Sequence, residues 1–192
     1  MRAAPNLHPQ SSVCIRLAAT HEAAEIARVL AESFEEFQAQ YTWQGFAATT
    51  PDEHGVRARM KEGLAWVAVA DDAIVGTASA AKRPDGVLHI RGMAVLPAGR
   101  GRRIGEMLLQ AIESYAAAAG CSRLTLCTTP FLSAAIRLYE RFGFRFVADG
   151  RNDIFGTPLL NMAKVLSGES EFYEEHRKEQ LCRKIMDTLA CA

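Results

Sequence analysis

Three glycines and three arginines are concentrated in residues 95–105, where a predicted strand ends and a predicted helix begins. Backbone N–H groups at the start of a helix, together with the positive end of the helix dipole, bind anions, and glycines allow a phosphate to approach the main chain. Arginines beside such a loop suit a ligand that carries several phosphates. The segment therefore predicts a site for a phosphate-bearing ligand. The alternative interpretation is a tight turn followed by a solvated helix start.

Two common nucleotide-binding motifs do not fit this segment. A Walker loop needs Gly-Lys followed by Ser or Thr, and the segment has no lysine. The spacing Gly99-x-Gly101-x-x-x-Gly105 is one residue longer than the dinucleotide fingerprint, and no acidic residue ends a following strand about 20 residues further on. We therefore exclude both motifs.

The elements that position this segment follow from the apolar pattern. Apolar runs joined by short turns predict an antiparallel meander of three strands, at residues 64–70, 73–81 and 87–96. After Pro97, helices alternate with strands, the helices ending near residues 120 and 142 and the strands spanning 123–128 and 144–148. This β-α-β-α-β order predicts a parallel pairing across the first of these helices. Residues 154–165 supply a last strand, which Pro158 weakens or places at a sheet edge.

The chain before the meander is predicted to be mainly helical. After a short strand at 13–16, Thr20 is predicted to cap a helix whose apolar face comprises Ile26, Val29, Leu30, Phe34 and Phe37. An aromatic connection at 41–46 then leads to a second helix, which opens at Thr50-Pro51 and runs to about residue 63. Phe34 and Phe37 are therefore expected in the core.

Composition limits the class of protein. The chain has 192 residues, 49% of them hydrophobic, which is enough for one full core. Lys+Arg and Asp+Glu are each 22, so the net charge is zero and the field of a dedicated nucleic-acid binder is missing. No apolar run approaches the roughly 18 residues of a membrane span, and the first residues lack the apolar region of a secretory signal. We expect a cytoplasmic protein that binds neither nucleic acid nor membrane.

The cysteines are interpreted as reduced thiols. Their number, five, is odd, and none stands at metal-ligand spacing from another cysteine or a histidine. Cys121 and Cys127 fall in an apolar, strand-like run, where cysteine usually behaves as a small core residue. No histidine lies near Cys127 in sequence, so we expect a buried structural thiol there and not a nucleophile.

The two ends of the chain differ from its middle. Residues 1–12 are predicted to be a flexible leader, residues 13–166 a single domain and residues 167–192 an amphipathic helix. The apolar stripe of that helix consists of Leu181, Cys182, Ile185, Met186 and Leu189. Such a stripe fits a homodimer contact, towards which we lean, and also fits packing on its own domain.

The glycine-arginine segment and a second stretch together resemble the GNAT acetyltransferase superfamily. The pyrophosphate loop of that family follows the pattern Q/R-x-x-G-x-G/A, which residues 100–105 (RGRRIG) match at the first and last positions. Residues 135–144 (AIRLYERFGF) resemble the family signature A-I-x-L-Y-x-x-x-G-F. The resemblance covers roughly residues 13–165. It implies an α/β (α+β) fold with a mixed, mostly antiparallel central sheet of about six to seven strands, flanked by helices.

The resemblance also implies a cosubstrate, acetyl-CoA, and no metal. The strand end at Met93, Ala94 and Val95 would present backbone groups to the acyl carbonyl and the pantetheine arm. The pyrophosphate would be held by the main-chain N–H groups of Gly101, Arg102, Arg103, Ile104 and Gly105. The side chains of Arg100 and Arg102 would flank it. Tyr139 matches the tyrosine that protonates the departing CoA thiolate, a plausible step because a phenol and a thiol have comparable pKa values. The alternative for Tyr139 is a core aromatic residue on the helix face of Leu132 and Ile136.

Two positions depart from the family pattern. Arg103 stands where the loop has its middle glycine, so its side chain must point away from the pyrophosphate or meet a phosphate with its charge. Leu132 stands where many relatives have an asparagine seven residues before the tyrosine, so one polar contact to the pantetheine would be lost. Both departures favour weaker binding of CoA or a degenerate site.

The acceptor side is predicted from the same resemblance. His89 lies six residues before Val95, at a position often occupied by glutamate, and its ordinary pKa of about 6.5 suits a general base. The alternative is a solvated strand residue. Trp43 and Phe46 lie off the apolar helix face and are the predicted contacts to the acceptor.

These observations predict an N-acetyltransferase that moves an acetyl group from acetyl-CoA to a small-molecule or peptide amine by direct attack, with Tyr139 as general acid. One alternative is a non-catalytic module that binds acyl-CoA, favoured by Arg103 and Leu132. Another is acetylation of a macromolecule, either a protein N-terminus or a charged tRNA, and zero net charge disfavours the RNA. The sequence does not identify the acceptor.

Overall fold

The fold is built around a mixed seven-stranded sheet with the strand order β1-β2-β3-β4-β5-β9-β6. A computed structural model describes residues 12–148, 150 and 152–166. Within these residues the strands are β1 Cys14–Leu17, β2 Leu64–Ala70, β3 Ala73–Arg83, β4 Val87–Val95, β5 Arg123–Thr128, β6 Arg145–Val147, β7 Asp153–Ile154, β8 Thr157–Pro158 and β9 Leu160–Val165. The helices are α1 Ala23–Phe34, α2 Trp43–Thr49, α3 Glu53–Glu62, α4 Ile104–Ala118 and α5 Ser133–Arg141. The leader (but for Ser12) and the tail helix predicted above lie outside the described residues.

The pairing of the strands confirms the predicted fold class. β2, β3 and β4 form the antiparallel meander, and β4 pairs with β5 in parallel across α4, with Val87 opposite Arg123 and Ile90 opposite Leu126. All other neighbours in the sheet are antiparallel. A right-handed crossover through a helix is the usual way to make one parallel pair, which explains why the βαβ unit could be identified from the order of elements.

Alternating residues of β3 face two different helix layers. Ala78 pairs with Trp66, whose ring lies 5.6 Å from that of Tyr115 on α4. The next residue, Ser79, faces the opposite layer, where α1 and α3 pack together. Both faces of the central strands are therefore covered, and their apolar runs become the core.

A β-bulge in β4 prepares the site. Thr77 of β3 pairs with Ala94, and Ser79 pairs with Arg91, so β4 carries one residue more than β3 between these pairs. The extra residue is accommodated at Gly92, which adopts a positive φ of 58°. A glycine in the left-handed region is the usual first residue of such a bulge, and the bulge bends the strand. β4 therefore leaves the parallel ladder after Ile90 while β5 continues to Thr128.

Three local predictions are wrong. Thr20 does not cap α1, because residues 20–22 form a 3-10 turn in which the carboxylate of Glu22 accepts from the Ala19 N–H at 2.7 Å. Asp52, and not Thr50, caps α3, since its Oδ1 accepts from the Gly55 N–H at 2.9 Å. The connection at 41–46 is not a loop, because α2 begins there with Thr42 as its N-cap.

The end of the sheet also differs from expectation. Residues 153–158 form a separate two-stranded hairpin, β7–β8, and only Leu160–Val165 joins the main sheet. The hairpin turn is made by Phe155 and Gly156, both with positive φ. Positive φ at both central residues is typical of a tight type I′ turn. Pro158 lies in this small hairpin, where a missing N–H costs little.

None of the helices in the described residues has the length and apolar character needed to cross a bilayer.

Candidate active site

A cavity of about 1160 Å³ opens where β4 and β5 diverge. Its walls are the end of β4, the loop before α4, the end of β5 with the start of α5, the C-terminal part of α1 and the end of α2. Of the residues predicted to contact cofactor or reactants, the cavity wall includes Met93, Ala94, Val95, Arg100, Gly101, Arg103, Ile104, Gly105, His89 and Tyr139. Arg102, Trp43 and Phe46 are not part of this wall.

The loop before α4 presents its main chain to the cavity. The first amide bonded within α4 is that of Met107, which donates to Arg103 O at 3.0 Å, so the N–H groups of Ile104, Gly105 and Glu106 precede the helical ladder. Gly101 has a positive φ of 79°, and a Cβ there would meet nothing within 4 Å. The loop is therefore an open cradle of amides at the positive end of a 15-residue helix.

Arg103 occupies the glycine position of the loop without filling the cradle. It adopts a left-handed conformation, with φ 59° and ψ 16°, which explains why glycine is the family residue here. Its guanidinium points outwards and forms a bidentate pair with Glu106 at 2.8 and 2.9 Å, and the side chain is 75% exposed. The side chain is thus directed away from the amides, one of the two arrangements considered for this departure.

Arg100 connects the loop to α1. Its guanidinium donates to Ser33 O at 3.2 Å and pairs with Glu36 beyond the end of the helix. The hydroxyl of Ser33 is 95% buried, lines the cavity and has no hydrogen-bond partner within the described part of the chain. Thr129, the first residue after β5, carries a second buried hydroxyl on this wall.

These observations are consistent with coenzyme A. Open amides at a helix start suit a pyrophosphate, and the unsatisfied, buried hydroxyl of Ser33 suits an amide group of a pantetheine arm. The divergence of β4 from β5 leaves the end of β4 without a neighbour on that side, so its backbone groups are available to a ligand. The residues present therefore fit the cofactor that the sequence predicts.

Tyr139 lies at the boundary between the cavity and the core. Its side chain is 7% exposed, its ring packs edge-on against Phe144 at 6.0 Å, and it also lines the cavity. Burial, with a smaller effect of Tyr41, raises the pKa of Tyr139 well above its usual value of 10. The hydroxyl is therefore protonated throughout the neutral range and is a weaker acid than the sequence suggests.

The aromatic wall opposite the loop differs from the predicted one. Trp43 is 82% exposed on α2, away from the cavity, and Phe46 packs behind Tyr41 with ring centroids 5.9 Å apart. Tyr41 itself lines the cavity, where its ring meets Phe131 edge-on at 4.8 Å, and burial raises its pKa. The aromatic connection therefore contributes Tyr41 to the cavity wall, whereas Trp43 and Phe46, the predicted contacts to the acceptor, lie outside it. Phe34 and Phe37, expected in the core, also line the cavity.

His89 lies in the part of β4 that pairs in parallel with β5, three residues before Gly92 of the bulge. Its Nδ1 is 3.0 Å from Thr125 Oγ1 on β5. Burial of the ring, reinforced by the positive charges of Arg83 and Arg91, lowers the pKa of His89 from 6.5 to about 4. The ring is therefore neutral at pH 7, so it can accept a proton, but it is a weak base.

We expect His89 to make the stability of the protein depend on pH. A histidine whose pKa is lowered by folding contributes stability that is complete above about pH 6.5 and is lost as the pH falls towards 4. Between pH 6.5 and 4.5 the expected loss is about 2 kcal/mol. His89→Gln should remove most of this slope in urea unfolding curves. His54→Gln, at an exposed position on α3, is the control, and an unchanged slope in His89→Gln would contradict the buried neutral ring.

Cys127 is not the buried thiol that the sequence predicts. Its side chain is exposed and lines the cavity, with Sγ 3.1 Å from Asn161 Oδ1. The reason is that β5 extends beyond its pairing with β4, so Cys127 pairs only with β9. Cys14, Cys121 and Cys127 are free thiols, and Cys121 is buried as predicted.

Among the arginines on the cavity wall that were not predicted, two lie near the bulge. Arg59 extends from α3 and Arg91 from β4, and both reach the region of the bulge. In sequence, Arg59 belongs to the polar face of an ordinary helix, and only the packing of α3 against the sheet brings it to the site. In the described residues, no group of three or more His, Cys, Asp and Glu side chains is arranged to hold a metal ion.

Known proteins show the same fold. The acetyltransferase of the GNAT family from Staphylococcus aureus Mu50 superposes with a TM-score of 0.68 at 18% identity, over 81% of this chain and 100% of that one. PaiA N-acetyltransferase from Thermoplasma acidophilum, solved in complex with coenzyme A, gives 0.67 at 19% identity, over 81% and 99%. YncA from Salmonella typhimurium, with acetyl-CoA, gives 0.63 at 21% identity, over 82% and 96%.

Curated relatives match in sequence over shorter stretches. Human N-acetylaspartate synthetase is 32% identical over 99 residues, which is 51% of this chain and 32% of that protein. IAA acetyltransferase from Azospirillum brasilense is 43% identical over 56 residues, 29% of this chain and 37% of that protein. The matches thus span about a third of the length of these relatives.

The family model described as Acetyltransferase (GNAT) family matches residues 24–144, which is more than half of the chain. This range runs from α1 through the meander and the amide cradle to the second stretch that resembles the family. The chain therefore belongs to the GNAT acetyltransferase family.

Proposed function

We propose that this protein is an N-acetyltransferase that uses acetyl-CoA and an amine acceptor. The observation that carries the proposal is the position of Tyr139, a buried tyrosine on the wall of the cavity that the amide cradle and the end of β4 also line. Membership of the family supports the acyltransferase class. The names of the curated relatives, an N-acetylaspartate synthetase and an acetyltransferase, support acetyl transfer to nitrogen.

The cofactor side of the reaction is assigned to backbone groups. The amides of residues 101–105 would hold the pyrophosphate, with Arg100 fixed beside them by α1. Backbone groups at Met93, Ala94 and Val95 on the side of β4 that faces away from β3 would orient the pantetheine arm and polarise the acyl carbonyl. Acetyl-CoA supplies the acyl group as a thioester. Arg103, turned outwards to Glu106, would contribute to the field at the loop without direct contact.

The acyl group would move by direct attack. The neutral amine nitrogen forms a bond to the acyl carbon, the carbon–sulfur bond breaks, and the thiolate takes a proton from the Tyr139 hydroxyl. Solvent then restores the tyrosine proton. The amine loses its own proton to water or, through water, to His89, whose lowered pKa makes it a weak base.

The cytoplasmic location of the protein stays a prediction.

Isothermal titration with acetyl-CoA, and separately with CoA, tests the cofactor site. We expect dissociation constants in the range of about 1–100 μM, the usual range for a cosubstrate, and weaker binding as salt screens the phosphates. No heat at millimolar acetyl-CoA would contradict the proposal. Binding without acetylation of any amine in a broad panel, analysed by mass spectrometry, would instead favour the non-catalytic module.

A further inference from the structure

Arg59 brings a positive charge to the bulge from the acceptor side. Its Nη2 donates to Ala48 O at the end of α2, at 2.6 Å, while its Nη1 lies 3.7 Å from the place where a Cβ on Gly92 would stand. No carboxylate among the described residues lies within ion-pair distance of this guanidinium. Burial and the charge of Arg91 lower the pKa of Arg59. The guanidinium therefore reaches the cavity without a counter-charge of its own.

Arg91 lies beside Arg59 and is only partly compensated. Its Nη2 pairs with Glu62 at 2.6 Å and contacts Arg59 O at 3.3 Å, but its buried Nε has no hydrogen-bond partner in the described part of the chain. Two guanidiniums and one carboxylate leave a net charge of +1 at this end of the cavity. A buried donor and an unbalanced charge are both costly unless a ligand satisfies them.

The other described residues of the cavity wall add no negative charge near the bulge. Among the described residues that line it, Glu106 is the only carboxylate, and it belongs to the loop, where Arg103 binds it. Arg83 extends the positive surface towards the start of β4. A polycationic acceptor would meet repulsion here, whereas an acceptor with one negative charge would balance the pair.

We propose that Arg59, with Arg91 beside it, binds a carboxylate of the acceptor, so that the acceptor is a small amine that also carries a carboxylate, such as an amino acid. This inference rests on the proposed function and names its substrate class. The bulge directly precedes Met93, so a carboxylate at Arg59 places an amine only a few bonds away beside the segment assigned to the acyl group. A single negative charge matches the net charge of the pair, which favours a carboxylate over a phosphate.

The test compares amines that differ only in this group. Wild-type enzyme is given acetyl-CoA with the common amino acids, their α-carboxamides, spermidine and O-phosphoethanolamine, and acetylated products are measured by mass spectrometry. We expect kcat/KM at least 30-fold higher for the best acid than for its amide, because a charge-assisted pair is lost. Arg59→Gln keeps a donor for Ala48 O but removes the charge. It should lower kcat/KM for the acid by about 30- to 100-fold, mainly through KM, and leave the amide unchanged.

Arg57→Gln is the matched control, since Arg57 lies on the same helix and pairs with Glu53 outside the cavity. Titration with CoA confirms that each variant is folded. Equal rates for acids and amides, faster acetylation of spermidine or O-phosphoethanolamine, or an unchanged acid-to-amide ratio in Arg59→Gln would overturn the inference while the proposed function stands.

A binding measurement separates the two proposals if no amine is acetylated. In that case the proposed function fails, and the carboxylate site is tested separately by thermal unfolding of the CoA complex. Stabilisation of wild type by an amino acid but not by its amide, lost in Arg59→Gln, supports the carboxylate site. Equal or absent stabilisation by acid and amide overturns it.

Discussion

Tyr139→Phe is expected to lower kcat by about 10²- to 10³-fold, the usual contribution of a general acid, with little change in the dissociation constant of acetyl-CoA. Only the hydroxyl is removed, and the ring keeps its contact with Phe144. Because burial keeps this hydroxyl protonated, it can supply a proton to the departing thiolate at any neutral pH. Steady-state kinetics with a saturating acceptor would measure the effect.

Tyr115→Phe is the matched control for that experiment. Tyr115 packs against Trp66 on the other side of the sheet and does not line the cavity, so its loss should leave kcat within about twofold. If Tyr139→Phe kept more than half of the wild-type kcat, the general acid would have to be another group. Tyr41, a half-buried tyrosine on the same wall, would then be the next residue to substitute.

Gly45→Ala is expected to weaken binding of the acceptor and to leave binding of CoA nearly unchanged. A Cβ on Gly45 would lie 2.3 Å from Thr157 Oγ1 and 3.0 Å from Ile154 O, so α2 must move away from the β7–β8 hairpin. That hairpin holds α2 through the Thr42 N–H, which donates to Thr157 Oγ1 at 3.0 Å, and the Thr42 hydroxyl, which donates to Phe155 O at 2.8 Å. We expect a loss of about 1–3 kcal/mol in the free energy of unfolding.

The kinetic consequence should follow from the same displacement. Because the end of α2 receives Arg59, the KM of the acceptor is expected to rise about tenfold or more, while titration with CoA stays within about twofold of wild type. Gln44→Ala, an exposed position on the same helix, should change neither quantity. Thr157→Ala removes the closest atom, so the double variant with Gly45→Ala should be less destabilised than the sum of the single variants. Strict additivity would show that the contact is not strained.

The parts of the site that depend on local sequence were predictable. The amide cradle follows from glycines at the start of a helix, and the meander with its parallel partner follows from apolar runs of strand length separated by turns. These features depend on residues close to one another in the chain. Arg103 departs from the family pattern, yet the loop keeps its open amides. The left-handed position accommodates an arginine because its side chain is turned to Glu106.

The acceptor side was predicted poorly because long-range packing decides it. The pattern of residues 41–46 shows aromatic character but not which ring turns inwards, and contacts with Phe131 and the hairpin select Tyr41 over Trp43. Arg59 looks like any solvated arginine on a helix until α3 is placed against the sheet. Cys127 is exposed because β5 continues beyond the end of its parallel pairing with β4. No local sequence pattern indicates where that pairing ends.

The hydrogen bonds between Thr42 and Thr157 join positions 115 residues apart, whereas the strand end, the amide loop and Tyr139 all lie between β4 and α5. Closing so long a loop carries a larger entropy cost than forming local contacts, and such contacts tend to form late in folding. We therefore expect a partly folded chain to assemble the coenzyme pocket before the acceptor wall exists. Because of the same separation, mutations in one stretch of the chain can change the specificity for the acceptor without changing the binding of the acyl donor.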